Sequence, residues 1–356
     1  MDNAPNAPNA RPIPHSDQRD KLATFRLSSP QQAHIRLEAL RAATADHIAA
    51  SKSAATKRAY ASDFGAFELW CHQYGLAALP AEPDTVALYL TAMAAQDAAV
   101  ATLRKRLVAI SQAHRAAGVS APPTQSQTVR RTMAGIARQR GTRQRQVAPI
   151  RVATLKDMLA ATPEDDLLAV RDRAILLLGF AGGMRRSELA ALDFEDLTEV
   201  EEGLDVLIRR SKTDQEAAGR VIGIPRGRNR ETCPVLAVQR WLFLSKISGG
   251  ALFRAMRPNG RPGTAKQYLH GRPGSARLTP QGVARVVQRA ASRIGLDSAE
   301  FAGHSLRAGF ATEAAAQGAS ERAIMRQTGH RSVATVRRYI RDGDRYRENA
   351  AAMLGL

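Results

Sequence analysis

Four words of this sequence must meet in space if their side chains are to act together, and that requirement constrains the fold more than any other feature. Three crowd towards the C-terminus: His304-Ser-Leu-Arg307, Gly329-His330 and Arg338-Tyr339-Ile340. The fourth, Gly183-Met-Arg185-Arg-Ser-Glu188-Leu, stands far upstream, so the chain has to fold back over the intervening segment. Arginine is a permanently charged planar fork that matches two oxygens of one phosphate, and two arginines on one phosphate stabilise the added charge of a five-coordinate transition state. A tyrosine can then attack. Its phenol titrates near 10, so it needs cations and a proton acceptor beside it, and histidine is the usual acceptor at neutral pH.

The set resembles the tyrosine recombinase, or phage integrase, family, over roughly residues 45–350. The motif order Arg, Lys, His-x-x-Arg, His, Tyr carries the resemblance as an ensemble. It implies Arg185 as the first arginine, Glu188 as the acid that supports it, His304 and Arg307 as the His-x-x-Arg pair, His330 as the second histidine and Tyr339 as the nucleophile. The family's lysine sits in a β-hairpin. Residues 204–224 read as two short β-branched runs around a polar turn, and Lys212 is the lysine there.

A formal net charge of +19, from 52 Lys plus Arg against 33 Asp plus Glu, is the footprint of a nucleic-acid binder. Charge alone does not separate DNA from RNA or from an acidic membrane. Arg104, Lys105, Arg106, Arg143 and Arg145 are the candidate DNA contacts, and His114-Arg115 is expected to be exposed beside them. The plainer reading of each is a solvated face. Two cysteines, Cys71 and Cys233, are too few for a disulfide framework or a Cys-type zinc site, which suits a reducing cytoplasm. His304 and His330 have no Cys partners nearby, and no Gly-rich phosphate loop ending in Lys-Ser/Thr appears, so neither metal nor cofactor is expected. The longest apolar run, beginning at Ala174, is too short to span a bilayer and reads as a buried helix.

The fold expected is mainly α with a small β-sheet. Residues 1–30, with an Asn-Ala-Pro repeat, read as a disordered leader. Residues 31–140 are helical and alanine-rich, and Tyr60, Phe64, Phe67, Trp70 and Cys71 share one helical face that reads as core. The resemblance makes this a SAM-like core-binding domain that clamps DNA. Residues 141–150 are a basic linker, and 151–356 form a mixed helix-and-strand catalytic domain. Within it the pattern predicts helices at 152–161, 165–181, 186–191, 234–245 and 279–293, a loop at 257–277, and a final helix with Val333, Val336 and Ile340 inward.

The resemblance also implies site-specific recombination through a 3′-phosphotyrosyl link, without ATP, on double-stranded DNA carrying inverted-repeat sites, within a protein tetramer. The segment Arg347–Leu356 docks either on a neighbouring subunit or on its own domain. Two alternatives stand beside this: relaxation of DNA in the manner of a type IB topoisomerase, and a catalytically silent DNA-binding accessory protein.

Overall fold

The structure, a computed structural model, describes residues 30–142, 147–209, 219–257, 259–263, 276–343 and 354. The chain forms two compact units, residues 1–144 and 145–356. Among the described residues no helix is long and apolar enough to cross a membrane.

The first unit is helical: α1 (Pro30–Ala50), α2 (Ala54–Gln73), α3 (Pro83–Ala95), α4 (Val100–Ala116) and α5 (Gln127–Arg140). Ser53 starts α2 by accepting a hydrogen bond from the Thr56 amide at 3.2 Å. The aromatic stripe of α2 faces inward from Phe64 onwards, whereas Tyr60, expected in the core, is only half-buried outside it with Lys52 Nζ 5.7 Å from its ring centroid. Phe67 and Cys71 are buried, Phe64 and Trp70 pack against them, and Phe67 meets Tyr89 of α3 edge-on with centroids 5.0 Å apart. Full burial of a side chain such as Phe67 contributes about 1.5–3 kcal/mol.

His114 corrects one expectation, for it is fully buried rather than exposed. It continues the inward stripe of Leu103 and Ile110 on α4. Its Nε2 accepts from the Ala81 amide at 2.9 Å, and its Nδ1 lies 2.8 Å from the Ile110 carbonyl, which can only accept. The ring is therefore neutral and satisfied, a structural staple.

In the second unit, α7 (Leu167–Ala181) is buried along most of its length and forms the centre of the core, with Ala174, Ile175, Leu176 and Leu178 buried beside the ion pair of Arg171 and Asp172 at 2.6 Å. Helices α6 (Val152–Ala160), α9 (Pro234–Ser245), α10 (Pro280–Arg293) and α11 (Gly303–Ala316) surround it, with α8 (Arg186–Ala191) following its C-terminal turn. Trp241 of α9 is fully buried and donates its indole N–H to the Leu252 carbonyl at 2.8 Å. Two short helices, α12 (Glu321–Thr328) and α13 (Val333–Gly343), close the unit.

The sheet is an antiparallel meander in the order β1-β2-β3: Leu197–Val200, Gly203–Ile208 and Arg220–Pro225. Leu204 pairs with Ile224, Val206 with Ile222 and Ile208 with Arg220. Alternation buries Leu204, Val206 and Ile208 on β2 and Ile222 and Ile224 on β3, so one face lies on the core. Period-two geometry places Arg220 on that same inner face. Lys212 lies outside the described residues, as do Arg143, Arg145, most of the 257–277 loop and nearly all of the C-terminal segment from 347. The flanks of that loop pair through bridges between Arg254 and Arg277 and between Met256 and Pro262.

One close approach fixes α11. Residues preceding α6 run across it, with the Ala148 amide donating to the Glu300 carbonyl at 2.8 Å and the Ile150 amide to the Ser305 carbonyl at 3.1 Å. A Cβ on Gly309 would stand 1.8 Å from the Ile150 carbonyl oxygen, so only glycine lets the strap lie this close.

Candidate active site

The turn after α7 delivers Arg185 as the N-cap of α8, and the third residue of that helix is Glu188. The Glu188 carboxylate reaches back to accept from the Arg185 amide at 3.0 Å, which satisfies one of the orphan donors of a helix start. Its other oxygen accepts from Arg185 Nη1 at 2.5 Å. The Glu188 side chain is 1% exposed, so this charge is buried and needs its cationic partners.

His304 and Arg307 lie one helical turn apart at the start of α11 and share a face. Arg307 is fully buried. Its Nη1 donates to the carbonyls of Gly183, at 2.8 Å, and of Thr328, while Nε and Nη2 have no partner among the described residues. Burial and the neighbouring Arg185 pull its pKa down to about 10, which leaves it charged at neutral pH. Buried donors on a charged fork without partners mark a place for an anion.

Gly329 ends α12 in the left-handed conformation, φ +66°, and turns the chain so that His330 enters the site. Val336 of α13 is fully buried against α11 and α12, and Tyr339 packs beside it. Val333, expected inward, is 39% exposed, because it occupies the first position of α13; the Ile340 side chain lies outside the described set. The Tyr339 hydroxyl sits 2.8 Å from His304 Nε2, and the His330 and Tyr339 rings lie 5.9 Å apart.

Both histidines are held neutral. Burial, then Arg307 and Arg185, push His330 down to about 3. His304 keeps an exposed edge, yet burial of the rest of its ring and the cations Arg307, Arg185 and Arg186 lower it as well. A neutral imidazole beside a phenol can accept its proton.

The structure thus brings Arg185, Glu188, His304, Arg307, His330 and Tyr339 together. It adds two residues that the motif spacing did not single out. Arg220 opens β3 and directs Nη2 to Glu188 Oε2 and to the Thr328 carbonyl, both at 3.4 Å, with its Nε buried and unpartnered among the described residues. Thr328 receives both Arg220 and Arg307 on its carbonyl, and its hydroxyl contacts His330 Nδ1 at 2.7 Å. An available signal for Arg220 was its place on the inner-face alternation with Ile222 and Ile224; a carbonyl at a helix end leaves no signal at all.

The first unit holds the remaining candidates among the described residues. Arg104 is exposed. Lys105 pairs with Asp63 at 3.0 Å, and the part-buried Arg106 donates to the Asp63 carbonyl at 2.8 Å and pairs with its carboxylate.

The sequence model of the Phage integrase family matches residues 148–345, which contain every residue of this cluster. The chain belongs to the phage integrase family. A Selenomonas ruminantium protein described as an integrase/recombinase XerD homolog is 40% identical over 302 residues, 84% of this chain and 85% of that protein. The Cre recombinase of Escherichia phage P1 is 26% identical over 288 residues, 77% of this chain and 80% of Cre. Among solved structures, a lambda integrase dimer bound to a COC′ core site covers 93% of this chain and 86% of its own at 16% identity, with a TM-score of 0.55. The XerH site-specific recombinase bound to a palindromic difH substrate covers 77% and 73% at 17% identity, with a TM-score of 0.54. At those identities the two structures establish the shared fold. Family membership makes this integrase an enzyme of site-specific DNA recombination that cleaves and rejoins strands, and none of these relatives supports the topoisomerase or silent accessory alternatives.

Proposed function

We propose that the cluster performs phosphoryl transfer on DNA with Tyr339 as nucleophile. Arg185 and Arg307 grip the scissile phosphate and His330 contacts one of its oxygens. The Tyr339 oxygen attacks phosphorus as its proton passes to His304 Nε2. The bond from phosphorus to the 5′ oxygen breaks, and that oxygen takes a proton from Lys212, leaving a 3′-phosphotyrosyl link and a free 5′ hydroxyl. Rejoining runs the same steps backwards onto a different 5′ hydroxyl, so the bond energy is conserved without ATP, metal or cofactor.

The observation that carries this reading is the 2.8 Å contact of the Tyr339 hydroxyl with a neutral His304, beside an Arg307 whose Nε and Nη2 are buried without partners. The helical first unit serves as the core-binding clamp, residues 31–140, with 141–150 as linker and 151–356 as catalytic domain. Arg104, Lys105, Arg143 and Arg145 contact the DNA backbone, and Arg106 acts mainly through Asp63. Four copies assemble on two inverted-repeat sites in the cytoplasm and exchange strands through a four-way junction.

The deciding experiment incubates the protein, without metal or nucleotide, with nicked inverted-repeat duplexes from its own locus. A denaturant-resistant adduct mapped by mass spectrometry to Tyr339 is expected. Binding to the nicked traps with no adduct would overturn the assignment.

A further inference from the structure

The hydrogen-bond chain through Thr328 decides which nitrogen of His330 carries its proton. The Thr328 hydroxyl lies 2.6 Å from the Ile324 carbonyl, one turn back in α12, and a carbonyl can only accept, so the hydroxyl proton is committed there. The same oxygen lies 2.7 Å from His330 Nδ1. Having spent its proton, the hydroxyl can only accept from the ring, which makes Nδ1 the donor. A neutral ring protonated at Nδ1 has a bare lone pair at Nε2.

A bare Nε2 faces the wrong way for its task. Phosphate oxygens are acceptors, and two acceptors repel. Nε2 has no partner among the described residues. The groups acting on His330 from the packed elements are Arg307 of α11, Arg185 at the start of α8, Arg220 of β3, His304 of α11 and the Tyr339 ring of α13. None of these is an anion, and the carboxylate of the cluster, Glu188, is already bound by Arg185 and Arg220. A proton is therefore repelled from His330 until a negative group enters the site.

We propose that Thr328 is a positioning residue that fixes His330 as the Nδ1–H tautomer, so that seating the scissile phosphate draws one proton from solvent onto His330 Nε2. The proton adds to the Nε2 lone pair, Nδ1–H stays on Thr328, and the resulting imidazolium donates to a phosphate oxygen. Release of the phosphate returns the proton to solvent. This inference rests on the phosphate-site reading above. It makes the proton a second ligand, linked to DNA binding by thermodynamic reciprocity.

The test has two arms. In the free full-length protein labelled with ¹⁵N-histidine, the His330 signal, assigned by its loss in His330→Gln, is expected to show a protonated Nδ1 and an unprotonated Nε2. Thr328→Ser, which keeps the hydroxyl, should retain that pattern, and Thr328→Val should release the proton to Nε2. A protonated Nε2 in the unaltered neutral protein would overturn the proposal outright.

The second arm measures affinity against pH in the Tyr339→Phe background, on the nicked duplex used above. Binding is expected to tighten by about tenfold for each unit of falling pH while one proton is taken up. The dependence should vanish with Thr328→Val, and also when the scissile phosphate is replaced by a neutral methylphosphonate. The same slope in Thr328→Val would place the proton elsewhere and sink the idea. Absence of a Tyr339 adduct would instead bring down the catalytic reading, and the tautomer, measured on the free protein, would still stand or fall by its own spectrum.

Discussion

The Tyr339 hydroxyl and His304 Nε2 are 2.8 Å apart although the two side chains come from different helices, α13 and α11. Lowering of the His304 pKa by burial and by Arg307, Arg185 and Arg186 leaves a lone pair available to the phenol at neutral pH. Tyr339→Phe is expected to retain DNA affinity and form no covalent adduct, and an adduct surviving in that variant would remove the nucleophile assignment. His304→Gln should slow adduct formation by about 10²–10⁴-fold in single-turnover assays, the range of a lost general base.

Glu188 holds two arginines at once. Its side chain is 1% exposed and faces Arg185 and Arg220, which are 15% and 21% exposed, so removing it strands two largely buried cations. Glu188→Ala is expected to destabilise the second unit by about 3 kcal/mol, as measured by chemical denaturation, because breaking a buried pair leaves charge uncompensated. Glu188→Gln keeps an acceptor for the Arg185 amide and should lose less stability while still impairing cleavage. Equal stability of all three proteins would show that Glu188 is not the brace.

Arg220 joins the two halves of the arginine grip, since Glu188 orients Arg185 and the Thr328 carbonyl holds Arg307. Arg220→Ala should therefore cut the cleavage rate by about tenfold or more, the effect of a group misplaced around a phosphate, while DNA affinity changes little. Arg220→Lys should recover only part, because an ammonium lacks the planar fork that spans two acceptors. A substrate with sulfur at the leaving 5′ position needs no proton donor, so it should rescue Lys212→Ala but not Arg220→Ala. Rescue of both would tie Arg220 to the leaving group instead of the phosphate.

What the sequence displayed came from motif words and from periodicity. His304 and Arg307 were legible as the His-x-x-Arg word of the family resemblance, and the α2 stripe was legible because Phe67 and Cys71 recur at helical steps. β1 went unread: Leu197–Val200 is short, with Thr198 and Glu199 exposed and no alternation to betray it. His114 was misplaced because charge neighbours suggested surface, although Leu103, Ile110 and His114 form one inward line on α4. The second set of contacts was invisible for a different reason. Arg220, Gly183 and Thr328 meet Arg307 and Glu188 through backbone carbonyls and tertiary approach, which no residue pattern encodes.

The two histidines should also record themselves in stability. Folding lowers both pKa values, His330 to about 3 from 6.5, so below 6.5 the unfolded chain binds protons that the folded chain refuses. Stability from these groups is full above the unfolded value and is lost as pH falls towards the folded one. Denaturation midpoints of the DNA-free protein are expected to drop from about pH 7 to about pH 5, above the range where carboxylates titrate. His330→Gln should flatten that slope. An unchanged slope would mean that His330 is not held neutral.

Gly309 offers a test of how the site is held in place. The strap that ends at Ile150 crosses α11 where a Cβ would lie 1.8 Å from the Ile150 carbonyl oxygen and 2.8 Å from its carbon, both backbone atoms that cannot rotate away. Alanine would favour the helix by about 1 kcal/mol on intrinsic propensity, yet the clash forces the strap off. Its hydrogen bonds from Ala148 to Glu300 and from Ile150 to Ser305 are then strained, along with the burial of Ile150. Gly309→Ala should therefore lose about 2–4 kcal/mol, the range of overpacking with lost burial, and the sign opposite to propensity is the informative result. Because α11 carries both His304 and Arg307, the same variant should slow cleavage even at temperatures where it remains folded. A neutral or stabilised Gly309→Ala would mean that the strap does not hold α11, and that the helix is positioned by its other neighbours, with Arg307 fixed by the carbonyls of Gly183 and Thr328.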